Sequence, residues 1–248
     1  MIKIDTVYQK VLAIANKEQR GYVTPQDFNL FADHAQKEIF EQYFYDLNQF
    51  RRMPGNDTEY ADMVKNLEAK ISLFEVYGDQ VSDNGFGVVD LTNDVPNLYR
   101  IGDVRVIYLG KGFSTAEEIQ IKELDIYSSG GLTGFTAKRP RYTRYVKNGD
   151  NILHLYPNSG SGNDNFKIDK VVISYVKKPE KPNWNYQIVN EKPFFLNNSD
   201  SQNFELHPSD ESELVYRILA LAGVQVEKPQ LTQVAMTLEA AKVQQEKQ

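Results

Sequence analysis

The chain has 248 residues, 41% of them apolar, with 28 basic against 34 acidic side chains and a net charge of −6. That length supports one large domain or two modest ones with a real core, and the acidic balance disfavours holding nucleic acid through a generally basic surface. Cysteine is absent, which excludes disulfides, thiolate catalysis and zinc–thiolate centres and fits a reducing compartment. No run has the length of a membrane-spanning helix, and MIKIDTVYQK lacks the apolar region of a signal peptide, so no membrane association is expected. Aromatic residues make up 12% of the chain, and such side chains build both cores and interfaces.

The spacing of Ile4, Val7, Tyr8, Val11, Leu12 and Ala15 predicts a first helix from about Asp5 to Asn16. The longest helical signal follows, Thr24 to Phe50. Thr24 can cap its amides, Pro25 suits the first helical position, and Asp27 faces the positive end of the dipole. Phe28, Phe31, Ala32, Ala35 and Ile39 share one face. In the second half Phe40, Tyr43, Phe44 and Leu47 widen that face and move it around the helix. Such a helix can hold the core through Phe28, Phe31 and Ile39 and touch something else through Phe40, Phe44 and Leu47. Met53-Pro54-Gly55 stops the pattern, and Tyr60, Met63, Val64, Leu67, Ile71 and Phe74 predict a third helix ending near Gly78.

From Gly78 the composition shifts to strands punctuated by glycine, asparagine and serine. Val88–Thr92, Val104–Leu109, Glu118–Tyr127 and Ile168–Val176 read as strands. Tyr142–Lys147 and Asn151–Tyr156 flank Asn148-Gly149, a strong hairpin signal. The two prolines of KKPEKPN should carry the chain out of the sheet to Trp184. Trp184, Tyr186, Phe194 and Phe195 then form an aromatic arm, read either as cover for the domain's own sheet edge or as a docking element for another copy. Helix returns at Pro208-Ser209, with Ser209 as cap, Asp210, Glu211 and Glu213 in the first turn, and Gly223 as terminator. A last helix from about Pro229 carries Leu231, Val234, Ala235 and Leu238.

These elements predict an α+β protein: a helical bundle built from N- and C-terminal helices, with a β-rich insert, an antiparallel sheet or sandwich, between them. The expected domains are residues 1–78, 79–205 with the aromatic arm, and 206–248.

No residue pattern points to a catalytic, cofactor-binding or metal-binding role. His34 reads as surface, His154 as a sheet residue and His207 as a helix-cap helper. Gly110 to Thr115 has phosphate-loop letters without the spacing, and a hairpin turn fits better. Asp79 to Gly85 resembles a calcium loop with its glycine misplaced. The one cationic concentration is Lys138, Arg139, Arg141 and Arg144, which reads either as a solvated hairpin edge or as a patch for an acidic partner or passing nucleic acid.

The run NKEQRGYVTPQDFNLFADHAQKEIFEQYFYDLNQF resembles virion structural proteins of tailed bacteriophages, of the podovirus-like and crAss-like type. VVISYVKKPEKPNW and FELHPSDESELVYRILALAGVQ are similar to segments of the same group. The resemblance implies a non-enzymatic adaptor or ring subunit of the head-to-tail connector. Its expected partners are other copies in a homo-oligomeric ring, a dodecamer by the resemblance, together with the portal protein and adjoining tail or ring proteins. Genomic DNA would pass through the lumen without specific binding. It also implies location in the virion after assembly in the host cytoplasm. The expected subunit interface comprises Phe40, Phe44, Leu47, Trp184, Tyr186, Phe194, Phe195, Leu231, Val234 and Leu238. Two other readings stay open: a tail or baseplate-type virion protein with a protein-binding β domain, and a glycan-binding or glycan-active protein using Trp184.

Overall fold

The computed structural model describes residues 1–17, 23–52, 58–110, 112–128, 143–149, 151–157, 167–225 and 237. The chain is α+β, and it divides into two compact units, Met1–Leu73 with Pro179–Gln248, and Phe74–Lys178. The boundaries differ from those expected. The aromatic arm clusters with the helices rather than with the β-rich insert, because Trp184 is built into the helical core.

The first unit contains α1 (Ile4–Lys17), α2 (Pro25–Arg52), α3 (Thr58–Ile71) and α6 (Glu211–Gln225), with a small hairpin, β8 (Tyr186–Val189) and β9 (Lys192–Phe195). α1 packs on α6, and α2 packs on both α3 and α6. The Thr24 hydroxyl oxygen accepts the Asp27 amide at 3.2 Å and the hydroxyl donates to the Asp27 carboxylate at 2.6 Å, so the predicted cap forms. Phe28, Ala32, Ala35, Gln36, Ile39, Phe40 and Tyr43 of α2 are buried. On a helix of 3.6 residues per turn Gln36, Phe40 and Tyr43 lie about 60–120° around from Phe28, so the buried face widens and moves in the second half as expected, but it is buried within the chain itself. Phe40 belongs to that buried face, while Phe31 lies at its half-buried margin. Buried Gln36 was invisible to an apolar pattern. Its Nε2 donates to the Glu180 carbonyl at 2.7 Å and its Oε1 accepts the Glu205 amide at 3.1 Å, tying both ends of the Pro179–Leu206 segment to α2.

α6 is preceded by a tight turn, Pro208–Asp210. Its cap is His207, whose Nδ1 accepts from the Ser209 amide at 3.3 Å, in place of the expected Ser209. With Pro208 at the first helical position, the capping residue has to lie one place upstream of it. Nor does Gly223 terminate the helix. It is buried, and the helix runs on to Gln225.

The second unit is a mixed seven-stranded sheet in the order β1-β7-β3-β4-β5-β6-β2. Its strands are β1 (Glu75–Val81), β2 (Val88–Asp90), β3 (Leu98–Tyr108), β4 (Gly112–Glu118), β5 (Arg144–Asn148), β6 (Ile152–Tyr156) and β7 (Ile168–Lys177). β3 lies inside the sheet, and Val104, Val106 and Tyr108 alternate into a core shared with Val171, Ile173, Leu153 and Leu155. The β5–β6 hairpin forms around Asn148-Gly149 as its sequence predicts, with Gly149 at φ 68°.

Three expectations about this sheet are corrected. β4 pairs with β5 in parallel, because the connection of residues 119–143 is long enough to carry the chain back for a crossover. The strand expected over Glu118–Tyr127 gives way after Glu118 to a turn, Ile121–Glu123, and a short helix α5 (Leu124–Ser128). Reciprocal bonds start that turn: the Gln120 amide donates to the Glu123 carboxylate at 3.2 Å, and the Glu123 amide to the Gln120 carbonyl at 2.9 Å. The strand expected over Val88–Thr92 stops at Asp90, whose carboxylate accepts the Thr92 amide at 2.9 Å and opens a one-turn helix α4 (Leu91–Asp94).

Tyr108 makes the sheet sensitive to alkali. Its buried hydroxyl donates to the Pro157 carbonyl at 3.1 Å and lies 3.2 Å from the Thr143 hydroxyl. Burial pushes its pKa up to about 12, only partly offset by the Thr143 hydrogen bond. The unfolded chain releases this proton near pH 10 while the native protein keeps it. Stability is therefore full below pH 10 and is lost as pH rises towards 12, by about 2–3 kcal/mol in all. Urea midpoints followed by circular dichroism across that window should show the loss. Tyr108→Phe should flatten the part of it that Tyr108 supplies.

Candidate functional site

Two surfaces of the helical unit combine shape with exposed or charged chemistry. The first is the β8–β9 hairpin. The extended segment Pro179–Trp184 delivers it, and Trp184 fixes its root. The Trp184 indole N–H donates to Asp5 at 3.0 Å, and its backbone N–H to the Asn29 side chain at 2.8 Å. The Asn29 amide group in turn donates to the Trp184 carbonyl at 3.3 Å. The indole packs on Tyr8 at 4.3 Å and stacks with Tyr186 at 5.7 Å and Phe195 at 5.8 Å between ring centres. Trp184 is 1% exposed, so it is a core residue and not the free interface anchor its flanking prolines suggest. Asp5 and Asn29 supply polar partners from two helices, which allows the indole to be buried without an unsatisfied donor.

Opposed residues of an antiparallel pair point to one side. Tyr186 faces with Phe195, and Gln187 with Phe194; Ile188 lies opposite Pro193, and Val189 opposite Lys192. The Tyr186–Phe195 face is rooted on Trp184. The other face carries Gln187, Val189, Lys192 and Phe194, and here Val189 is 44% and Phe194 54% exposed. Asn190 and Glu191 at the tip both have positive φ, 49° and 64°, the backbone of a tight two-residue hairpin turn. The hairpin pairs with no other strand among the described residues.

The second surface is a groove of about 570 Å3 lined by α2, α3 and the start of α6. Ile39, Phe50, Met63 and Leu67 give it apolar walls; Tyr43, Asp46, Lys70, Glu213 and Arg217 give it a charged side. Behind that side Asp210 is fully buried. Its carboxylate accepts a short hydrogen bond from the Tyr43 hydroxyl, one from Lys70 Nζ at 2.7 Å and one from Ser209 Oγ at 3.2 Å. Lys70 also sits 5.6 Å from the Tyr43 ring centre. Arg217 clamps Glu213 through Nε at 3.1 Å and a terminal nitrogen at 2.7 Å, and approaches Glu38 at 3.5 Å. A run of acidic residues at a helix start suggests solvated charge. Asp210 is instead a buried cross-brace between α2, α3 and the turn before α6, and no sequence signal separates it from Glu211.

The remaining predicted residues fall as follows. Phe40 is buried within its own unit and meets Phe44 edge-on at 5.1 Å between ring centres, so only half-buried Phe44 and Leu47 of that trio reach the surface. Leu231, Val234, Leu238, Lys138, Arg139 and Arg141 lie outside the described residues. Arg144 starts β5, in register with Tyr156 and Glu117. His34 is exposed and 3.2 Å from Glu38, and His154 lies in β6. Gly110 and Gly112 hold the β3–β4 turn at φ 71° and 84°, the hairpin turn expected there. The Asp83 carboxylate accepts the amides of Gly85 at 2.9 Å and Gly87 at 3.2 Å, an Asx turn. Among the described residues no three His, Asp or Glu side chains are grouped to hold a metal ion, and no helix is long and apolar enough to cross a membrane.

No protein-family model matches the chain, and no curated protein matches it.

Proposed function

We propose that this chain is a non-enzymatic structural subunit that assembles with copies of itself, as an adaptor or ring protein of a phage head-to-tail connector. The observation that carries the proposal is the β8–β9 hairpin: a short two-stranded element, rooted on a fully buried tryptophan, that holds Val189 and Phe194 out to solvent. An isolated hairpin is marginal in water, and large exposed apolar groups on a fixed projection suit an interface core. The resemblance of the α2 and α6 segments to connector proteins supports the same reading. In it the N- and C-terminal helices form one bundle, the sheet unit reaches the adjoining portal or tail ring, and the acidic balance lets DNA slide through the lumen without fixed phosphate contacts.

Mass photometry of the full chain, alone and with a portal protein, tests this. A closed ring-sized species is expected, and Phe194→Asp is expected to shift it towards monomer by at least about tenfold in midpoint concentration. A chain that stays monomeric under both conditions while binding a sugar polymer would refute the proposal.

A further inference from the structure

We infer that the outer face of the β8–β9 hairpin of one copy docks into the α2–α3–α6 groove of the next, making a head-to-tail contact. The inference rests on the assembly reading above and names the two surfaces that meet. Both belong to the same unit of the chain. The hairpin root is tied to Asn29, and the α2 lining of the groove runs from Ile39 to Phe50, about 15 to 32 Å further along the helix. The four residues of β8 extend the hairpin only about 13 Å. The hairpin root and the groove thus occupy different stretches of α2, which leaves the groove open to the hairpin of a second copy.

The chemistry of the two surfaces matches. The hairpin offers Val189 with Lys192 opposite it and Phe194 next along the same face, and the groove offers Ile39, Phe50, Met63 and Leu67 together with Asp46. Among the described residues Asp46 accepts a hydrogen bond from Gln42 at 2.9 Å and pairs with no cation, and Lys192 pairs with no carboxylate. A cavity of about 570 Å3 accommodates a phenylalanine and a valine side chain together. Docking would bring the Lys192 ammonium to the Asp46 carboxylate, and such a pair sets register and partner choice. Two different patches at opposite ends of α2 make a heterologous contact, which closes into a ring or runs on as a filament depending on the rotation per copy.

The native chain has no cysteine, so engineered pairs are unambiguous. Full-length Phe194→Cys is mixed with full-length Leu67→Cys under mild oxidation, and the double variant is oxidised alone. The expected results are a covalent dimer from the mixture and a ladder of multimers from the double variant. Phe194→Cys mixed with Lys3→Cys, at an exposed position outside the groove, should give neither. Charge exchange supplies an arm that does not depend on cysteine packing: Lys192→Glu should weaken association about tenfold, and Asp46→Lys in the same chain should restore it. Ring-sized assembly without cross-linking and without charge rescue overturns the hairpin–groove contact and leaves the assembly reading standing. Cross-linking that yields open filaments supports the contact and refutes the closed ring. A monomer that neither cross-links nor responds to charge exchange refutes both.

Discussion

Trp184→Ala is expected to destabilise the helical unit by about 3–5 kcal/mol, because a fully buried indole leaves both a large cavity and unpaired polar groups. The side chain touches Tyr8 of α1 and the two hairpin residues Tyr186 and Phe195, while its N–H satisfies Asp5. Removing it uncouples the hairpin from α1 and α2 at once. Trp184→Phe keeps part of the stacking and loses the hydrogen bond to Asp5, so its cost should be clearly smaller. Urea unfolding followed by helical circular dichroism measures both variants. An alanine variant within about 1 kcal/mol of the native chain would show that the indole is not a structural root.

Asp210→Ala is the second large expected effect, again about 3–5 kcal/mol. The carboxylate is fully buried and braces Tyr43 of α2, Lys70 of α3 and Ser209. Lys70 is itself only 16% exposed, so losing Asp210 strands an ammonium group with little access to water. The diagnostic comparison is the double variant. Lys70→Met on top of Asp210→Ala removes the stranded charge and should recover part of the loss, whereas Lys70→Met alone should destabilise. The chain's single tryptophan lies in this unit, so its fluorescence follows the unfolding directly. Additive costs in the double variant would mean that the two groups are not coupled.

Much of the architecture is legible in the sequence, and the misses have physical causes. Helix periodicity locates α1, α2 and α3, and Asn148-Gly149 locates the β5–β6 hairpin, since both rest on local backbone preference. Short polar side chains end elements where apolar patterning continues: Asp90 stops β2, and the Gln120–Glu123 exchange stops β4 before Ile121, Leu124 and Ile126 can extend it. The parallel β4–β5 pair depends on a long connection, and no alternation pattern encodes its direction. Buried polar residues are the hardest to read. Gln36, Asp210 and the Asp5–Trp184–Asn29 cluster derive their roles from partners more than a hundred residues away. The same blindness misplaces Trp184 and Phe40, which sequence offers as exposed interface aromatics. Of the expected arm Phe194 is exposed and Trp184 buried, and the exposed Ile188 and Val189 lie outside its aromatic pattern.

In the proposed assembly Phe194 serves association and not folding. Its most direct test is a paired measurement on Phe194→Asp: the oligomer distribution by mass photometry and the unfolding midpoint by tryptophan fluorescence on the same sample. Loss of the assembled species with the midpoint unchanged within about 0.5 kcal/mol is the expected result. A variant that assembles like the native chain, or one that unfolds before it dissociates, would contradict it.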